Sequence, residues 1–280
     1  MLRATSERSN AHYVAHAVVR LEILDDNDQF LSWATGFVVN ERDFLSLYTC
    51  WHVVTGADPY NLPSTIPIRR AKIRVHTLGV ESRQPGVTVV GGLSTFEIDL
   101  FDNDGQRKWF QDINVLHTSE GTMPVPTYDC VRFNIESFGH LIPGSFQPDD
   151  DILNYLDISE DAYIVGFPYG YSAADTGPDP IFIRRSRASI WAPQSFTLLD
   201  GAGAKGMSGG PVVTRTVNEW RLAGIYSGVV FPEARFFEEE IARNHGKSQL
   251  PLGKYTMSMI ARQAVGVSSE DIGLTSVTGS

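Results

Sequence analysis

A serine set among glycines is the sharpest chemical signal in the sequence. It stands in Gly206-Met207-Ser208-Gly209-Gly210-Pro211-Val212-Val213, a run that passes directly into β-branched residues. Glycine tolerates positive φ and leaves the backbone uncovered, so the Ser208 hydroxyl and neighbouring N–H groups would lie open to an incoming carbonyl. Such a hydroxyl becomes a nucleophile only beside a base. Without one, a glycine-rich structural turn explains the same residues.

A base is available in Tyr48-Thr49-Cys50-Trp51-His52-Val53-Val54-Thr55-Gly56, where an apolar strand ends at a histidine and then turns. A histidine at a strand end is often purely structural, so the neighbourhood decides its meaning. Between the two motifs lies Pro126-Thr127-Tyr128-Asp129-Cys130-Val131-Arg132-Phe133, in which an acid opens an apolar strand. An unpaired carboxylate would be costly there, and an imidazole N–H would satisfy it. Asp99 and Asp112 lie in the same interval and compete for this role. Asp99 is followed by the turn signal Asp102-Asn103-Asp104-Gly105, which reads as a hairpin ahead of the Asp129 strand.

The order is His52, Asp129, Ser208, with separations of 77 and 79 residues. That order is the one found in the chymotrypsin-type triad. The sequence here resembles the trypsin-like (chymotrypsin-fold) serine peptidases, particularly their bacterial members. The resemblance is carried by Thr35-Gly36-Phe37-Val38-Val39, Trp51-His52-Val53-Val54, Tyr128-Asp129-Cys130-Val131, Val165-Gly166-Phe167-Pro168, the Ser208 motif and Gly224-Ile225-Tyr226-Ser227-Gly228. It implies two packed six-stranded antiparallel β-barrels, with His52 and Asp129 from the first, Ser208 from the second, and the cleft between them. It also implies a serine endopeptidase needing no cofactor and no metal. Gly206, Met207 and Ser208 match the oxyanion-hole segment, with the N–H groups of Gly206 and Ser208 as donors. The strand Ile225–Ser227 matches the segment that pairs with substrate backbone, and Gly228 follows it. By counting, the base of the specificity pocket is Ala202, six residues before Ser208, with walls from about Ile225 to Val229. No acid stands at that base, so small or apolar side chains are expected to fit better than Lys or Arg.

Two departures from the family pattern narrow the resemblance. Met207 replaces the acid that many secreted relatives carry before the nucleophile, so activation by a freed N-terminus is not expected. Val53 replaces the cysteine that commonly follows the histidine in animal members. Both fit a bacterial-type intracellular enzyme, and the first ten residues lack the apolar core of a secretory signal, which points to the cytoplasm. Cys50 and Cys130 are too few for a disulfide framework; they read as buried thiols, or as a single bridge if His52 and Asp129 are neighbours.

The elements that must position these residues are strands. Ala17, Val19, Leu21 and Ile23 alternate with Val18, Arg20, Glu22 and Leu24, and short β-rich runs recur at 33–40, 44–50, 73–77, 95–101, 128–133, 162–167, 181–191, 210–217 and 219–226. Gly, Pro, Asn and Asp separate them, which predicts an all-β chain. The least regular stretch, Phe138 to Pro148 with Asp149-Asp150-Asp151 after it, marks a boundary between two β-units. The expected domain is 12–266, with a first barrel over about 12–140 and a second over about 150–255. Met257, Ile260, Ala261 and Ala264 have helical spacing and predict a C-terminal helix over about 256–266, leaving 1–11 and 267–280 as frayed tails.

Composition bounds the partners. With 23 Lys and Arg against 33 Asp and Glu, the formal charge of −10 repels phosphate backbones and anionic lipid headgroups. No run approaches the roughly 18 to 20 apolar residues of a membrane span. A protein or peptide substrate is expected, not nucleic acid or membrane, and a separate activating partner protein stays open. Arg69-Arg70 and Arg184-Arg185-Ser186-Arg187 read as solvated strand ends or partners of acidic loops.

Three rival readings remain. Gly206-Met207-Ser208-Gly209-Gly210 also fits G-x-S-x-G, but that elbow needs a helix after the serine, and Pro211-Val212-Val213 gives a strand. His12 and His16 are four apart but lack the glutamate of a zinc-peptidase motif. A latent or inactive protein of the same fold, holding a peptide or partner in the cleft, would keep all three residues.

Overall fold

Alternating apolar and polar residues give each strand one buried face, and two such layers must cover each other to remove those faces from water. The computed structural model describes residues 2–5, 10–42, 44–57, 70–84, 87–111, 113–118, 121–147, 157–174, 177–191, 196–216, 219–230 and 252–257. The first half contains β1 (Leu2–Thr5), β2 (Val18–Leu24), β3 (Phe30–Asn40), β4 (Leu45–Thr49), β5 (Lys72–Gln84), β6 (Val87–Asp99), β7 (Ile113–Thr118), β8 (Gly121–Pro126) and β9 (Val131–Asn134). The second half contains β10 (Asp161–Gly166), β11 (Ile181–Trp191), β12 (Phe196–Leu199), β13 (Pro211–Arg215), β14 (Trp220–Val230) and β15 (Leu252–Met257).

In the first unit seven strands pair in the order β1-β6-β5-β2-β3-β4-β9, all antiparallel, and β7 and β8 form a separate hairpin. The sheet curls toward closure through the irregular chain after β6. Lys108 N–H donates to Leu100 O (2.9 Å), and Phe110 and Arg132 exchange N–H···O bonds of 2.9 and 3.1 Å, which brings that chain onto β9. In the second unit six strands close a barrel in the order β10-β11-β12-β15-β14-β13. The all-β, chymotrypsin-like architecture of two antiparallel units is therefore present, the second as a complete six-stranded barrel and the first as a curled seven-stranded sheet.

Several boundaries differ from expectation. Leu2–Thr5 lies in the stretch expected to fray, yet it forms β1 by pairing with Val87–Val90. Ala17 ends a short helix, α1 (Ala11–Ala17), whose first turn is capped by the Asn10 side chain accepting from His12 N–H at 3.0 Å. Thr256 and Met257 belong to β15, opposite Ile225 and Gly224, because barrel closure needs a strand between β12 and β14. The remainder of the expected C-terminal helix and Asp112 lie outside the described residues. Arg187, read as solvated, is 2% exposed, whereas Arg184 pairs with Asp161 at the surface. No helix among the described residues is long and apolar enough to cross a membrane.

Alternation along β10 explains how the barrel meets the first unit. Ala162 and Ile164 point into the barrel with Leu199, Met207, Val212, Ala223 and Tyr226, while Val165 and Phe167 join the larger core, which runs from the first unit on to Val213, Trp220, Leu222 and Ile225. Thr35 on β3 crosses this junction. Its Oγ1 donates to Gly206 O (2.7 Å) and accepts from Phe167 N–H (3.1 Å), and its N–H donates to Ser208 O (3.0 Å). Thr35→Val keeps the shape but leaves two buried backbone groups unpaired, so it should destabilise folding by about 3 kcal/mol. Urea unfolding should show that loss, and Thr35→Ser, which keeps the hydroxyl, should fall near wild type.

Candidate active site

His52 is delivered by the end of β4. Thr49 closes the strand, Cys50 is still extended, and the chain then winds into a one-turn helix, α2 (Trp51–Thr55), ended by Gly56 N–H donating to His52 O (2.9 Å). Val53 and Val54 anchor this turn in the core, which leaves the His52 ring half-buried on the other side. Asp129 comes two residues before the neighbouring β9 and is 1% exposed. Its Oδ1 accepts His52 N–H at 3.0 Å, and its Oδ2 lies 2.7 Å from His52 Nδ1.

A carboxylate so placed can only accept, so Nδ1 carries the ring proton and Nε2 presents a lone pair. One buried acid thus fixes the backbone, the ring orientation and the tautomer of His52. The competing Asp99 is more than half exposed and faces Lys108 at 3.5 Å on the outer face of the sheet.

Ser208 lies in the loop between β12 and β13, against the segment that carries His52. Gly209 makes that approach: its φ is +85°, and an added Cβ would lie 2.2 Å from Thr49 Oγ1, 2.3 Å from Thr35 O and 3.0 Å from Cys50 N. Tyr226 O accepts both Gly209 N–H (2.8 Å) and the Cys50 thiol (3.3 Å), tying the two segments to β14. Among the described residues the Ser208 hydroxyl makes no hydrogen bond to His52. Such contacts are often long without a substrate.

The peptide orientations around Ser208 follow from which carbonyls are held. Lys205 O accepts Tyr169 N–H at 2.6 Å and Met207 O accepts Gly210 N–H at 3.0 Å. In a planar trans peptide the N–H points opposite to the C=O, so the Gly206 and Ser208 N–H groups are turned away from those partners. Neither has an acceptor among the described residues. Met207 differs from its two neighbours, because its N–H donates to Ala204 O (3.1 Å) and its side chain is buried in the barrel. Two fixed donors flanking a hydroxyl can stabilise an oxygen that gains negative charge.

The other residues singled out in the sequence divide. Ile225 and Tyr226 are flanked by strands on both sides, Pro211 and Gly210 on one and Thr256 and Tyr255 on the other. Gly228 and Val229 are paired with β15, and among the described residues no strand flanks them on the other side. Ser227, between them, is buried. Tyr226 does more than supply backbone. Its ring packs 3.0 Å from the Cβ position of Gly203, its hydroxyl accepts Gly203 N–H at 2.8 Å, and burial pushes its phenol up to about 12. Ala202 O is held by Arg185 through Nε (3.2 Å) and Nη2 (2.7 Å).

Cys50 and Cys130 are both buried and not bridged. Burial, with the Asp129 charge beside it, holds the Cys130 thiol well above its ordinary range. Cys50, His52 and Asp129 place ligand atoms within 4.8 Å of one another, the one such metal-compatible group among the described residues. Both carboxylate oxygens are engaged with His52, and the thiol donates to Tyr226 O, so the group reads as a hydrogen-bonded cluster. His12 and His16 sit on α1 with ring centroids 6.0 Å apart and no acid between them. Sequence reading passed over the roles of Thr35 and Tyr169. Thr35 belongs to the Thr35-Gly36-Phe37-Val38-Val39 run, whereas nothing local in the sequence marks Tyr169.

The sequence matches no protein-family model and no curated protein. Solved structures with a similar fold include a serine endoprotease from Yersinia pestis, 14% identical over 94% of this chain and 65% of that one, with a TM-score of 0.48. A variant of the HtrA-type protease AlgW with a tripeptide is 14% identical over 90% and 60%, at 0.46. The Rv3671c protease in an inactive form is 13% identical over 93% and 91%, at 0.44. The chain spans less than two thirds of the first two. By its closed second barrel, its curled first sheet and the junction that brings His52, Asp129 and the Ser208 loop together, the chain has the chymotrypsin-like fold of the trypsin-like serine proteases.

Proposed function

We propose that the chain is a serine endopeptidase that acts through an acyl-enzyme. The observation that carries this reading is the double hold of Asp129 on His52 together with the two oriented, acceptor-free N–H groups at Gly206 and Ser208. Ser208 Oγ attacks the scissile carbonyl as its proton passes to His52 Nε2. The carbonyl oxygen becomes negative between the two amides, and Asp129 holds the imidazolium that forms. His52 then returns the proton to the leaving amine, and water repeats the sequence to release the acid. The substrate segment before the scissile bond lies along the open edge at Gly228 and Val229 by strand addition.

Intact-mass measurement after exposure to a fluorophosphonate tests this. Wild type should gain one adduct, and Ser208→Ala and His52→Ala none. A folded wild type that stays unmodified overturns the reading and favours a latent or binding-only cleft, which the missing Ser208–His52 hydrogen bond would also suit.

Specificity follows from Tyr226. Its ring and hydroxyl occupy the space beside Gly203 into which a side chain before the scissile bond would reach, and the residue counted as the base of that pocket is Ala202, which carries no charge. A peptide-library profile should favour Ala, Ser, Thr or Val there and disfavour Arg and aromatic residues by about tenfold or more. Tyr226→Ala should move the preference toward larger apolar side chains. An Arg-dominated wild-type profile would refute the assignment.

A further inference from the structure

The Gly206 amide is aimed by one hydrogen bond, from Tyr169 N–H to Lys205 O. If that peptide turned over, a carbonyl would replace the N–H and repel an oxyanion. The reach of the active site therefore extends to whatever holds Tyr169. Its own side chain does not, being 72% exposed, and its backbone is left-handed (φ 55°, ψ 22°), a conformation that a tyrosine keeps only under constraint.

The constraint comes from Gly170 and from the first unit. Gly170 lies flat on Trp33: an added Cβ would be 2.4 Å from the ring. Its carbonyl accepts Arg20 Nη1 at 3.1 Å, across 150 residues of sequence. Arg20 stands on β2 with its guanidinium 4.8 Å from the centre of the same Trp33 ring. Burial strips water from it, and its Nε is buried with no partner among the described residues. An arginine kept at such a place, with a buried donor unmet, is poor value as a fold stabiliser.

We propose that Arg20 is a positioning residue for the oxyanion donor. With Trp33 it clamps the Tyr169–Gly170 turn, the turn holds the Lys205 carbonyl, and the Gly206 N–H is thereby kept facing the reacting oxygen. The inference rests on the peptidase reading, and it predicts an effect on the transition state without one on substrate binding.

Arg20→Met should lower kcat by at least about tenfold, a fraction of the hundredfold or more that loss of an oxyanion donor costs, with KM within about twofold. Affinity for a peptide boronic acid should fall in parallel with kcat/KM, while affinity for the matching unreactive peptide holds. Arg20→Lys, which can still donate to Gly170 O and stack on Trp33, should recover most of the loss. A folded Arg20→Met with unchanged kcat and boronate affinity overturns the proposal, as does a loss that follows melting temperature in both variants. Crystal structures separate this from failure of the peptidase reading. The Lys205 carbonyl should leave Tyr169 N–H in Arg20→Met and stay in wild type; if it stays in both, the proposal fails even where the wild type is inert to fluorophosphonate.

Discussion

The Thr35 hydroxyl is the constraint on which the site depends. It donates to Gly206 O and accepts from Phe167 N–H, so a side chain of the first unit fixes two backbone groups of the second at once. Its backbone adds a bond from N–H to Ser208 O and one from Thr49 Oγ1 to its own carbonyl. All of this lies in a dry core where an unpaired polar group is expensive, so the bonds form together or the junction opens. The loop that carries Ser208 thus has its register set relative to β3 and β4, and with it to the histidine that follows β4.

Asp129 shows the same economy in charged form. A carboxylate buried to 1% exposure would cost several kcal/mol if left alone, and the two His52 donors offset that burial. The interaction that makes the acid tolerable also selects the tautomer that leaves Nε2 able to take a proton. Stability and chemistry here are one hydrogen-bond pair viewed twice. Removing Asp129 would therefore disturb both, and an activity loss alone could not tell them apart.

Much of this is legible in the sequence, and the parts that are not share a cause. Strand alternation around Val19 and Leu21, the glycine loop at Ser208 and the acid before Val131 are local patterns, readable because each records its own environment. The pairing of Tyr226 with Gly203 and of Arg20 with Gly170 is invisible, since contacts spanning 23 and 150 residues leave no periodic trace. Met257 misleads for a related reason: its spacing to Ile260 and Ala264 is helical, but the need to close the barrel between β12 and β14 outweighs local propensity. Tyr169 is the hardest case, because a left-handed tyrosine is the reverse of what its side chain prefers, and its place depends on tertiary contacts as well as on the turn's own bonds from Gly170 and Tyr171 N–H.

The two units do not contribute symmetrically to the chemistry. On the proposed reading the base and its orienting acid both come from the first unit and are joined by two bonds within it, while the Cys50 thiol beside them reaches Tyr226 O of the second. The proposed oxyanion amides belong to the second: Ser208 N–H is turned by the Met207 O bond inside that unit, whereas Gly206 N–H depends on the turn that holds Lys205 O, which Arg20 and Trp33 of the first unit contact. The two bonds of the His52–Asp129 pair thus lie within one unit, whereas the support of the Gly206 peptide crosses from one unit to the other, so on the proposed reading the placement of the two units bears more directly on the Gly206 N–H than on the base.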